Sequence, residues 1–94
     1  MQNYEVMYII RPDLEEEAVQ GVVERMSEVV RNTGGSDLKV ETMGKRRLAY
    51  EVRKFKDGYY VLMNFTGEAA VPAELERIMK ISDSVIRFLT TRAE

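Results

Sequence analysis

"GKRRLAYEVRKFKDGYYVLMNFT", Gly44 to Thr66, reads as two strands folded back on each other. Three cations stand in a row at Lys45, Arg46 and Arg47. Apolar and polar residues then alternate. Leu48, Tyr50 and Val52 face one way; Arg47, Ala49, Glu51 and Arg53 face the other, the two-residue period of a strand. "KFKDG", Lys54 to Gly58, carries an Asp-Gly pair, a turn signal between two β runs. Tyr59 to Thr66 is then the returning strand, rich in β-branched and aromatic residues.

Outward from this hairpin, the same period extends back to about Ser36, with Leu38, Val40 and Thr42 on one face. Gly44 interrupts it, and a glycine inside a strand marks a bulge or bend. Near the start, "YEVMYII" (Tyr4 to Ile10) reads as another strand, ended by Arg11-Pro12. Asp13 is placed to cap a helix, with Glu16 completing a capping box. From Leu14 to Asn32 apolar residues recur at Leu14, Ala18, Val19, Val22, Val23, Met26, Val29 and Val30, a helical period. Gly34-Gly35 supplies the stop. Gly21, unfavourable within a helix, predicts close packing. Val71 to Lys80 gives a second helix with Pro72 in its first turn, and "SVIRFLTT" (Ser84 to Thr91) a last strand.

The order is therefore βαβ-βαβ in a single domain spanning residues 1–94. Its compact solution is the α+β, ferredoxin-like split βαβ sandwich: a four-stranded antiparallel sheet with two helices on one face. Strands one and three take the centre; strands two and four take the edges. With Tyr4, Val6, Tyr8, Ile10, Val61, Met63 and Phe65 turned to the helices, Met7, Ile9, Tyr60 and Leu62 point to the open side. Leu89 joins them if Ile86 and Phe88 face inward. Strands that are apolar on both sides have both faces covered. No third helix is available, so these five residues are expected to be exposed in the isolated chain and buried by a protein partner.

Composition narrows the function. The 94 residues include no cysteine and no histidine. Disulfides, thiolate chemistry, cysteine-based metal sites and the commonest general base are absent, so neither an enzyme nor a cofactor is expected. No apolar run is long enough to span a membrane, and the N-terminus has no secretory pattern. The formal net charge of −2 hides a separation. Residues 13–28 sum to −5, with six acids against Arg25. Residues 45–56 sum to +5, with Lys45, Arg46, Arg47, Arg53, Lys54 and Lys56 against Glu51. Charge on an edge strand by itself blocks sheet aggregation. Arginine also forks to phosphate, and a basic edge beside apolar surface fits RNA or ribonucleoprotein. The acids of the first helix suit its dipole better than a metal or a catalytic pair. "DGYYVL" matches the RNA-recognition-motif pattern poorly, so Tyr59 and Tyr60 read as packing residues rather than base-stacking ones.

Gly44-Lys45-Arg46-Arg47-Leu48-Ala49-Tyr50-Glu51-Val52-Arg53 resembles the signature of the bacterial ribosomal protein S6 family, departing from it at Val52, where Ile is usual. "YEVMYIIRP" and "KISDSVIR" (Lys80 to Arg87) resemble it as well, so the likeness covers nearly the whole chain. The resemblance implies a ferredoxin-like fold and a place in the small ribosomal subunit, in the cytoplasm. It also implies a heterodimer with ribosomal protein S18 and binding to the central domain of small-subunit rRNA. It carries Lys45, Arg46, Arg47 and Arg87 over as charged positions at the binding edge and open face. Gln2 and Asn3 are neutral where family members often carry a cation, so no N-terminal RNA contact is expected. The sequence ends at Glu94, so a tail grip on the partner is expected to be weak or absent. The competing readings are a free-standing module that dimerises through the open face and a small acylphosphatase-like enzyme, which would need a phosphate-cradling glycine loop.

Overall fold

The computed structural model describes residues 1–93. Glu94, on which the expectation about the tail falls, lies outside them. The elements are β1 (Gln2–Ile10), α1 (Glu16–Asn32), β2 (Ser36–Val52), β3 (Phe55–Gly67), α2 (Ala70–Ile81) and β4 (Val85–Ala93). One antiparallel sheet has the order β2-β3-β1-β4, with β1 and β3 central as the pattern requires. Both helices pack on one face, over Tyr4, Val6, Tyr8, Ile10, Val61, Met63, Phe65 and Val85. From above, Val19, Val23, Met26 and Val30 of α1 and Val71, Leu75 and Met79 of α2 complete that core. Buried Ser27 gives its hydroxyl proton to the Val23 carbonyl at 2.9 Å, so it costs the helix little.

Several local expectations are corrected. Asp13 does not cap α1. Its carboxylate accepts two hydrogen bonds from Arg11, at 2.7 and 2.9 Å, and this fork holds the Asp13 carboxyl below its usual range. The helix begins after Glu15, which is extended and makes no side-chain cap. Gly21 is exposed with open space around its Cα, so it packs against nothing.

The hairpin turn lies at Arg53-Lys54, not Asp57-Gly58. Val52 pairs with Phe55, and both turn residues have positive φ, 50° and 69°. A two-residue turn of this hand matches the twist of its strands, but Asn-Gly usually fills it. Left-handed backbone costs other residues about 1–2 kcal/mol each. Gly58 instead lies inside β3. A Cβ there would collide with Ile9 Cγ2 and stand 3.0 Å from the Ile10 carbonyl oxygen, so β3 lies this close to the end of β1 only because no side chain intervenes.

Ile86 does not face the helices. The β1–β4 register shifts between Ile9 and Ile10, whose partners are Arg87 and Val85. Val85 and Phe88 stay against the helix-side core, while Ile86 joins Ile9 and Leu48 on the other face.

Tyr8 is fully buried, and its hydroxyl has no hydrogen-bond partner; burial pushes its pKa well up. A stranded polar group costs about 1–3 kcal/mol. Tyr8→Phe should therefore raise the unfolding free energy, by about 1 kcal/mol. Gly58→Ala should lower it by about 1–3 kcal/mol, the range for overpacked sites. A urea titration of each variant reads both effects.

Candidate functional site: the hairpin arm and the open sheet face

Pairing between β1 and β3 ends at Ile10 and Tyr59, yet β2 and β3 continue to the turn at Arg53-Lys54. The residues beyond form an arm. Its ladder is interrupted: Arg47 pairs with Asp57 and Val52 with Phe55, so Leu48, Ala49, Tyr50 and Glu51 face Lys56 alone. Such a bulge bends and twists its strand. The arm curls over the open face, where Ile9, Leu48 and Ile86 form a second buried cluster with Val52, Phe55 and Tyr60 packed against it. Two cation–aromatic contacts flank the cluster. The Arg11 guanidinium lies 5.3 Å from the Phe55 ring centre. Arg87 lies 5.0 Å from that of Tyr50 and donates a hydrogen bond to its hydroxyl.

The open face is thus half covered. Ile9, expected to be exposed, is only 4% accessible because the arm lies over it. The other four partner candidates keep access: Met7, Tyr60 and Leu62 are half-buried, and Leu89 is 57% exposed. Cross-strand register sorts this face into rows. Tyr60, Ile9 and Arg87 form one; Leu62, Met7 and Leu89 the next; Asn64, Glu5 and Thr91 the third. The face passes from covered, to apolar and open, to polar. Between arm and sheet runs a groove of about 240 Å³, bordered by Leu48, Tyr50, Met7, Leu89 and Arg87.

Lys45, Arg46, Arg47, Arg53, Lys54 and Lys56 are all exposed on the β2 edge and the arm. Lys45 sits above the Tyr59 ring at 5.4 Å, on the helix side. Arg46 shares the parity of Leu48, so the cation run straddles both faces of the edge. Its Nε donates to the Met43 carbonyl at 3.2 Å. That carbonyl lies where the register slips between Thr42 and Gly44, the bulge that Gly44 marked. Arg87 stands apart from the run. It lies on β4 and reaches the arm through Tyr50. One acid of α1 comes near the run: Glu16 lines a hollow with Thr42, Gly44 and Tyr59. No cluster of potential metal ligands occurs among the described residues. No helix there is long and apolar enough to cross a membrane. Tyr50 was not among the sequence candidates. Its apolar parity with Leu48 and Val52 was the available signal.

A sequence model of the family described as ribosomal protein S6 matches residues 3–92. The chain belongs to the ribosomal protein S6 family. Small ribosomal subunit protein bS6 of Desulfitobacterium hafniense is 60% identical over 94 residues, covering 100% of this chain and 99% of the relative. That of Moorella thermoacetica is 55% identical, covering 100% and 96%. The crystal structure of 30S ribosomal protein S6 from Thermotoga maritima superposes with a TM-score of 0.92 at 35% identity, covering 98% of this chain and 87% of that one. These relatives are structural ribosomal proteins, not enzymes. In this S6-family chain the signature residues Gly44 to Arg53 build the bulge, the anchor Leu48 and the Tyr50 contact.

The face assignment is open to direct test. Leu89→Asp should shift the unfolding free energy of the isolated protein by no more than about 0.5 kcal/mol, as exposed substitutions do. Phe65→Asp should unfold it, since that side chain is 2% exposed within the helix-side core. Chemical denaturation of both variants distinguishes this orientation from its inverse.

Proposed function

We propose that the chain is a structural component of the bacterial small ribosomal subunit, in the cytoplasm, that meets RNA through its basic arm. Lys45, Arg46, Arg47, Arg53, Lys54, Lys56 and Arg87 contact phosphates in the central domain of small-subunit rRNA. Met7, Tyr60, Leu62 and Leu89, with the edge of the buried Ile9 cluster, receive ribosomal protein S18. The observation that carries the RNA reading is charge left unspent. None of the six cations between Lys45 and Lys56 forms a salt bridge among the described residues; Arg25, Lys39, Lys80, Arg87 and Arg92 are unpaired too, but only here do six stand within twelve residues. Cations held on an extended strand beyond the sheet are free to displace counterions from a polyanion. The S18 reading is supported by the Leu62–Met7–Leu89 row, an apolar strip that the arm stops short of covering.

The test is salt-dependent binding of the protein with S18 to a transcript of the rRNA central domain. Changing Lys45, Arg46 and Arg47 together to Gln should lower the log–log salt slope by about 2–3, at about 0.7–0.9 per phosphate lost. An unchanged slope refutes the assignment. Leu89→Asp, on the same mixture, should weaken S18 capture while leaving the fold intact.

A further inference from the structure

Arg53 and Lys54 both take left-handed backbone at the arm's tip, with φ of 50° and 69°. Neither is a residue type that favours this conformation. Strain of this kind persists where surrounding structure enforces it, and it clusters at binding sites. Here the enforcement comes from the root of the turn. Val52 and Phe55 pair with each other and pack onto the Ile9–Leu48–Ile86 cluster, so the two residues between them must close the chain. Nothing at the tip repays the strain. Both side chains are exposed, and neither makes a hydrogen bond or salt bridge among the described residues. An Asn-Gly pair would close the same turn at less cost.

We infer that the tip is a preset two-cation clamp for the phosphodiester backbone of RNA, in which the strained turn fixes where the two charges stand. The inference rests on the RNA reading above and adds position to it. Polyanion attraction in general depends on how many cations are present; a clamp depends on where they are. Two contacts made by a rigid turn also lose less side-chain freedom on binding than two made by a loose loop.

Four variants in the same RNA assay test this. Arg53→Asn/Lys54→Gly relaxes the turn and removes both charges. Arg53→Gln/Lys54→Gln removes the charges and keeps the strain. The first should raise the Tm of the free protein by about 4–8 °C, as relief of about 1 kcal/mol does for a domain this size; the second should leave it unchanged. Both should lower the salt slope by about 1.4–1.8, at 0.7–0.9 for each of two contacts. The wild type then loses about tenfold more affinity than either variant between 50 and 200 mM salt. The third variant adds Glu51→Arg to the relaxed turn and so restores the wild-type net charge two residues away. Neither affinity nor slope should return.

Recovery by Glu51→Arg overturns the clamp in favour of net charge. Unchanged binding in both tip variants overturns it as well, and a Tm unmoved by Asn-Gly removes its premise. The fourth variant, the Lys45, Arg46, Arg47 triple substitution, separates these results from failure of the RNA reading. If it still lowers the slope while the tip variants do not, RNA binding stands and the clamp alone falls. Inorganic phosphate at equal ionic strength should compete poorly, because a single free ion cannot span two cations spaced for a chain. Strong competition by phosphate overturns the assignment to RNA backbone.

Discussion

The contact among Ile9, Leu48 and Ile86 decides whether this molecule has an arm at all. A two-stranded ribbon beyond the edge of a sheet is marginal in water on its own. Three apolar side chains, one from each of three strands, hold it against the open face. The contact exists because Gly58 lets β3 pass close over Ile9 and because a register shift sends Ile86 to the same side. Groove, basic edge and tip all take their positions from it.

The helix-side core and the arm cluster also divide the sheet's labour. Under the helices lie most of the buried apolar residues. The arm cluster is small and covers only one row of the open face. The next row, Leu62 with Met7 and Leu89, therefore remains accessible without being surrounded by other apolar surface, since Asn64, Glu5 and Thr91 follow. An apolar strip bounded on one side by polar residues and on the other by a folded arm offers a partner one orientation rather than several. Family membership and the close superposition on a solved relative place this arrangement within a known structural lineage.

Much of this was legible in the residues, and what was not has a common cause. Periods of two and of 3.6 located all six elements, because burial on one face imposes them locally. The errors arose where a distant contact overrode a local signal. Asp57-Gly58 looked like a turn; the glycine serves a close approach to Ile9, nearly fifty residues earlier. Asp13 is the exception: it looked like a cap, but Arg11, only two residues before it, held its carboxylate. Ile9 looked exposed because nothing in its own strand announces the arm that covers it. The Tyr50–Arg87 contact joins the two edge strands of the sheet, and no local pattern encodes such a pair. The basic run was found because charge needs no fold to be counted; its division between two faces required the register.

The bulge at Leu48–Glu51 gives the arm an unequal pair of rails. Four residues on one side answer to one on the other, and the ladder between Arg47 and Val52 has no regular rungs. The bulge is held at its start by Leu48, buried with Ile9 and Ile86, and closed off at its end by the Val52–Phe55 pair packed on the same cluster. The molecule thus combines a regular sheet platform with a charged extension whose irregular middle is held at both ends by one small apolar cluster.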